Sequence, residues 1–252
     1  MHFFEEQKNS MVALMSELAD GAMGSSTNDG PDGSDMFQRS RVRFLNRHGL
    51  NVEKMVMGGF VHGAKAAIVE RTKYNRRVPG TDVLVTSEPR TILAGASADC
   101  YIVLAHFPGW LNIKLPGKSA VGLAHAGWRG IVGGVVPALL RAMKSQGAFA
   151  QGTMISVTPG IGDCCFVVND DENGIRNFRD YPDFCRRNER GRYHVNLPGI
   201  LRHQLLGQGI DQGNIRVSED CTACDKSRNK YFSWRRDHRV GYQMLSLIGL
   251  CG

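Results

Sequence analysis

The stretch Gly122-Leu123-Ala124-His125-Ala126-Gly127-Trp128-Arg129-Gly130 constrains this chain more than any other. An apolar, strand-like run feeds into His125. Small residues flank Trp128 and Arg129, and a glycine pair precedes the apolar run from Val135 to Leu140. Glycine and alanine permit tight turns and close backbone approach. The stretch therefore reads as a strand that ends at His125 and turns into a helix. Two readings of His125 stand at this point: a site residue on a strand-to-helix turn, or a core histidine at a strand end.

The flanking patterns set the fold class. Strand-like runs lie at Ala66–Val69, Val83–Thr86, Thr91–Ala94, Tyr101–Ala105, Val121–Ala124, Met154–Val157, Tyr193–Leu197, Asn214–Val217 and Gln243–Leu250, and Tyr231–Trp234 reads as a strand end. A small-residue turn is expected at Gly95–Ala98. Helical spacing marks Asp35–Gly49, Ile131–Ser145 and Pro198–Leu206, with a less regular helix over Gly174–Phe184. Pro137 falls early in its helix and Pro198 opens one, positions where proline is tolerated. Strands outnumber helices, which predicts a mixed α/β domain of the α+β class. With 252 residues, 42% of them hydrophobic, and no internal repeat or linker, the chain is expected to form one domain over residues 1–252.

Composition narrows the function classes. No apolar run approaches the ~20 residues that span a bilayer. The segment Met1–Leu18 carries Glu5, Glu6 and Lys8 ahead of its apolar patch, which is not the order of a signal peptide. The expectation is a soluble, cytoplasmic protein with no membrane partner. Seven cysteines, an odd number at irregular spacing, argue against a disulfide framework and for free or metal-bound thiols. The net charge of +7 gathers in clusters such as Arg71–Arg77 and Lys226–Arg239. No nucleic-acid-binding signature accompanies them, which argues against that partner. Solvated surface charge and an anionic small-molecule substrate both fit.

Three residues stand out for chemistry: His62 in Val-His-Gly, Cys100 in Ala-Asp-Cys, and His125. Each lies beside small residues and next to a strand-like run. One thiolate and two imidazoles are suitable zinc ligands, and a three-ligand site leaves a position open for water or substrate. They are far apart in sequence and would have to meet by folding. Cys221-Thr222-Ala223-Cys224 reads as ordinary thiols, a redox pair or half of a second zinc site, with no second pair beside it. Cys164-Cys165 reads as core or loop filling.

From Val56 to Leu250 the sequence resembles the YfiH/YlmD family, also described as the polyphenol oxidase (laccase-domain) or purine nucleoside phosphorylase family. The resemblance rests on Val61-His62-Gly63, Ala98-Asp99-Cys100, Ala124-His125-Ala126-Gly127-Trp128-Arg129-Gly130, Pro159-Gly160-Ile161-Gly162, Gln204-Leu205 with Gly209, Cys221-Thr222, and Phe232-Ser233-Trp234-Arg235-Arg236-Asp237 with Gly241. It implies two mixed β-sheets between helical layers, as in cysteine deamidase toxins. It implies zinc held by His62, Cys100 and His125. It implies phosphate-dependent cleavage of purine nucleosides such as adenosine, inosine and methylthioadenosine, with adenosine deamination in some members. On that reading Arg129 and Arg235 are candidates to position phosphate, or else scaffold arginines that stack and tie loops. Asp99 is a candidate general acid/base, a partner for a ligand histidine, or a turn residue.

Several positions depart from the family pattern. Phe60 stands where a glutamine is usual, Phe166-Val167-Val168 where Tyr-Glu-Val is usual, Asn196 for an aspartate, Leu201 for an asparagine, and Tyr242 for an arginine. Residues 1–34 form a divergent N-terminal segment. Two alternatives follow: a Cys–His amide hydrolase with Cys100 as nucleophile and His125 as base, including a peptidoglycan-precursor editing role, and a diverged, non-catalytic metal-binding protein. Multicopper oxidase chemistry fits poorly, because one cysteine and two histidines make a single small site. The oligomeric state is left open.

Overall fold

The computed structural model describes residues 1–3, 11–24, 34–70, 77–109 and 118–251. Two large mixed sheets dominate it. One has the strand order β1 (Met11–Met15), β14 (Met244–Leu250), β6 (Ile92–Ser97), β2 (Met55–Gly59) and β4 (Arg77–Pro79). The other runs β13 (Ile215–Val217), β9 (Met154–Val157), β7 (Tyr101–Phe107), β8 (Ala120–Ala126), β5 (Val83–Thr86) and β3 (Ala66–Ile68). A small third sheet of β10 (Val167–Val168), β12 (Tyr193–Val195) and β11 (Cys185–Arg187) accompanies the two expected ones.

Side-chain alternation along the strands builds the layers. On β8, Val121 and Leu123 point between the two sheets, where they meet Val56, Leu93, Ile102, Leu104 and Ile248. Ala120, Ala124 and Ala126 point the other way, toward the helices α3 (Val135–Ser145) and α4 (Leu197–Gly207). There Val135, Val136, Leu139 and Met143 are buried at helical spacing. Burying each such side chain contributes roughly 1.5–3 kcal/mol. On the far face of the first sheet, Phe44 and Leu45 of α1 (Ser34–Arg47) cover Met55, Met57, Leu245 and Leu247. The result is helix, sheet, sheet, helix.

Four local expectations change. The helix expected over Ile131–Ser145 is two helices, α2 (Trp128–Val132) and α3, broken at Gly133-Gly134, where Gly134 takes φ +87°. The turn expected at Gly95–Ala98 is strand through Ser97, because β14 pairs along it as far as Met244 opposite Ser97. Gly174–Phe184 forms two short 3-10 turns rather than a helix. Tyr231–Trp234 forms no strand; α5 (Trp234–Asp237) starts there, its first turn capped by Ser233, whose hydroxyl accepts the Arg236 N–H at 3.2 Å. Pro137 and Pro198 both sit in first turns, as the sequence suggests. No helix among the described residues is long and apolar enough to cross a membrane.

Candidate functional site

The site lies at one end of the two large sheets, where β8 delivers His125. Its position on β8 places it on the inter-sheet side, in register with Val121 and Leu123. His62 follows β2, and Cys100 sits in the turn between β6 and β7. The Nδ1 or Nε2 of each histidine and the Cys100 Sγ converge within 4.8 Å of one another. Folding therefore brings together all three residues singled out by the sequence.

Asp82, which the sequence reading did not single out, organises this cluster. Its carboxylate is fully buried and accepts backbone N–H groups from Val61, His62 and Gly63, the last two at 2.9 and 2.8 Å. The same carboxylate lies 2.9 Å from His125 Nδ1. Facing an ionised carboxylate, Nδ1 carries a proton and donates it, so that in the neutral imidazole Nε2 is the nitrogen with a free lone pair. The three N–H bonds also hold His62 at φ +62°, a left-handed conformation that a non-glycine residue adopts only when its surroundings enforce it. The available signal for Asp82 was its place in the turn leading into β5, which any aspartate at a turn shares.

Charges follow from these contacts. Burial pushes the Cys100 thiol up, but His125 and His62 beside it outweigh burial and bring it down to about 6. Burial disfavours a charged His125, yet Cys100 and Asp82 on its two sides raise it to about 9. Burial likewise opposes ionisation of Asp82, and the His125 and backbone hydrogen bonds overcome it and hold the carboxyl below its usual range. Without a metal the groups form a thiolate beside an imidazolium; a divalent cation could be held by Cys100, His62 and His125 once His125 gives up its Nε2 proton.

Close packing fixes the three side chains. A Cβ on Gly127 would stand 2.8 Å from His62 Cδ2 and 3.0 Å from Cys100 Sγ, so only glycine fits there. Phe60 stacks on His125 with centroids 4.4 Å apart and rings 2° from parallel. Its ring occupies the space that side chains at Gly58 and Gly95 would need. The apolar ring at this departure from the family pattern therefore braces His125.

The cluster opens into a cavity of about 650 Å³. Aromatic residues Trp128, Phe166, Trp234 and Tyr242 line it, as do Arg77, Arg129, Arg235 and Arg239. Asp99 is the acidic residue in the lining. The Arg129 guanidinium lies 4.4 Å from the Trp128 ring centroid, and that of Arg235 5.6 Å from Phe166. Arg235 also donates to the Cys165 carbonyl at 3.0 Å. Asp99, at φ +78°, has both carboxylate oxygens engaged: one accepts the Thr222 hydroxyl at 2.7 Å, the other the Arg235 backbone N–H at 2.6 Å. The carboxylate that partners a histidine of the cluster is Asp82. The two cysteine pieces read separately in the sequence, Cys164-Cys165 and Cys221/Cys224, also meet.

With the geometry in hand, similarity to known proteins adds a second line. A model of the family described as multi-copper polyphenol oxidoreductase laccase matches residues 16–251. The chain is 32% identical over 208 residues to purine nucleoside phosphorylase YlmD of Geobacillus stearothermophilus, covering 80% of this chain and 69% of that one. It is 27% identical over 208 residues to adenosine deaminase RL5 from an unknown prokaryotic organism, covering 78% and 75%. The crystal structure of YlmD from Geobacillus stearothermophilus matches with a TM-score of 0.82 over 96% of this chain and 92% of that one, at 27% identity in the structural alignment. That of Bacillus licheniformis YfiH matches at 0.80 over 98% and 94%, at 26% identity.

Proposed function

Because this chain belongs to the multi-copper polyphenol oxidoreductase laccase family, the group of YfiH and YlmD, we propose that it is a zinc-dependent purine nucleoside phosphorylase with adenosine deaminase activity at the same site. The observation that carries the reading is the composition of the cavity: a His/Cys/His cluster, four arginines and several aromatic faces share one space. A purine nucleoside needs a stacking surface, and phosphate needs cations. Relatives named for both activities support it.

Zinc held by His62, Cys100 and His125 would supply a Lewis-acid centre that attracts anions and lowers the pKa of water. Asp82 keeps His125 in the tautomer that offers Nε2. In phosphorolysis, Arg129 and Arg235 orient phosphate so that one of its oxygens attacks the anomeric carbon as the purine leaves. The products are free base and ribose 1-phosphate. Asp99 serves this step as a positioning residue, since its carboxylate fixes Thr222 and the Arg235 backbone. In deamination, water adds at C6 of adenosine and ammonia leaves, giving inosine.

Incubation of the zinc-loaded protein with adenosine, inosine or methylthioadenosine plus phosphate, followed by chromatography, tests the proposal. Free base from at least one nucleoside is expected. Neither base nor inosine from any of them would sink it.

One observation favours a second reading, a Cys–His amide hydrolase. Cys100, His125 and Asp82 form a thiol–imidazole–carboxylate series with the thiol brought down to about 6. Stoichiometric zinc bound through Cys100 separates the two, since a ligand thiolate is not a free nucleophile.

A further inference from the structure

Four cysteines outside the His/Cys/His cluster meet in space. Cys164 and Cys165 lie in the turn after Pro159-Gly160-Ile161-Gly162, and Cys221 and Cys224 in the loop after β13. Their four Sγ atoms all lie within 4.8 Å of one another. Cys164 Sγ is 3.2 Å and Cys165 Sγ 3.5 Å from Cys224 Sγ. All four are free thiols.

We propose that Cys164, Cys165, Cys221 and Cys224 bind a second zinc ion, a structural one, that staples the loop carrying Ile161 and Phe166, which line the cavity, to the loop after β13. Tetrahedral zinc with Zn–S bonds of ~2.3 Å sets its sulfurs roughly 3.8 Å apart, within the observed spread. Cysteines on different irons of a multi-iron cluster need a wider one. The proposal does not depend on the function assigned to the cavity.

The backbone turns N–H donors toward one of the four sulfurs, that of Cys221. The Gly162 backbone N–H donates to Cys221 Sγ at 3.2 Å, and the Ala223 N–H donates to the same sulfur. Such N–H groups orient a ligand sulfur and stabilise its negative charge. A backbone bridge pairs Gly160 with Cys221, and the Thr222 N–H donates to the Gly160 carbonyl at 2.9 Å, so the two ligand segments are already in register. Arg235 sits at the cluster's edge on the Cys165 carbonyl, where it offsets part of the charge that four thiolates around one divalent cation leave. On binding, the thiol protons pass to solvent. Ile161 and Phe166, beside the cysteines, line the cavity, and Thr222 holds Asp99. The staple thus fixes Thr222, which donates to Asp99, and the Cys165 carbonyl, which accepts from Arg235.

The test is metal analysis of the full-length protein grown with zinc and dialysed against metal-free buffer. Cys100→Ser combined with His125→Ala should retain one zinc per chain, and adding Cys221→Ser with Cys224→Ser should remove it. In case the latter pair unfolds the chain, alkylation of the unmutated protein gives a separate reading. Cys164, although exposed, should resist alkylation until a strong chelator is added, while Cys251 reacts throughout. Cobalt(II) substitution should give the intense charge-transfer absorption of several thiolates, and it should persist in Cys100→Ser. Absence of zinc from the Cys100/His125 variant, iron in its place, a Cys164–Cys224 disulfide in the isolated protein, or equal Cys164 reactivity with and without chelator each overturns the proposal.

Discussion

Asp82 and His125 form the buried hinge of the site: the carboxylate lies 2.9 Å from Nδ1 and at the same time holds the backbone of the loop that carries His62. One side chain thereby orients the imidazole of His125 and holds the left-handed backbone of His62.

Asp82→Asn should weaken zinc binding about 10- to 100-fold, the usual scale for losing the partner of a ligand histidine. The amide retains one acceptor oxygen, and its NH2 group faces the loop N–H groups as a mismatched donor. Competition against a chromogenic chelator measures the change. Unaltered affinity with a lowered Tm would reduce Asp82 to a fold residue.

Gly127→Ala places a methyl 2.8 Å from the His62 ring and 3.0 Å from Cys100 Sγ. The ligands must separate, so metal content and phosphorolysis should fall together by at least about 10-fold. Circular dichroism should stay native, because Gly127 lies at the site end of the sheet. Full zinc occupancy in this variant would contradict the ligand assignment.

Trp234 is 49% exposed although it lines the cavity, so its ring carries little of the core. Trp234→Ala should raise the nucleoside KM about 10-fold, the scale of base–aromatic stacking, and shift stability by less than about 0.5 kcal/mol. The KM for phosphate should not move. Asp99→Asn should do the reverse: it loosens Arg235, raises the phosphate KM, and leaves the nucleoside KM near its starting value. Parallel changes in both constants would assign these residues to general scaffolding.

His106, fully buried on β7, has its pKa depressed by burial to about 4. In the unfolded chain it takes up a proton near its ordinary value of 6.5. Between those values the unfolded state binds more protons, so stability falls as pH drops from 6.5 toward 4. At ~1.4 kcal/mol per pH unit this contribution is about 3 kcal/mol. Urea unfolding from pH 7 to pH 4 should show it, and His106→Gln should have a flatter profile. Equal slopes for the two proteins would remove His106 as the cause.

Much of this was legible in the sequence, for physical reasons that differ by element. His62, Cys100 and His125 could be read because small residues crowd each of them, and the structure explains the crowding at Gly127. The strands of the two large sheets showed in their apolar runs. Asp82 did not show, because a buried carboxylate that collects backbone N–H groups looks in sequence like any turn aspartate. The break between α2 and α3 was signalled by Gly133-Gly134, but the apolar spacing on both sides masked it. Phe60 looked like an ordinary apolar residue; only the glycine floor at Gly58 and Gly95 and the stacked His125 ring give it a role. The Cys164-Cys165 and Cys221/Cys224 pieces could not be joined, since a bridge between Gly160 and Cys221 brings them together and no local pattern encodes it.

The most direct test of the central claim is the formation of ribose 1-phosphate from inosine and phosphate by the zinc-loaded protein, compared with His125→Ala of confirmed fold. The account expects ribose 1-phosphate and hypoxanthine in equal amounts from the unmutated protein, and at least about a 100-fold slower rate in the variant. Ribose 1-phosphate formed at the same rate by both proteins, or by neither, would contradict it.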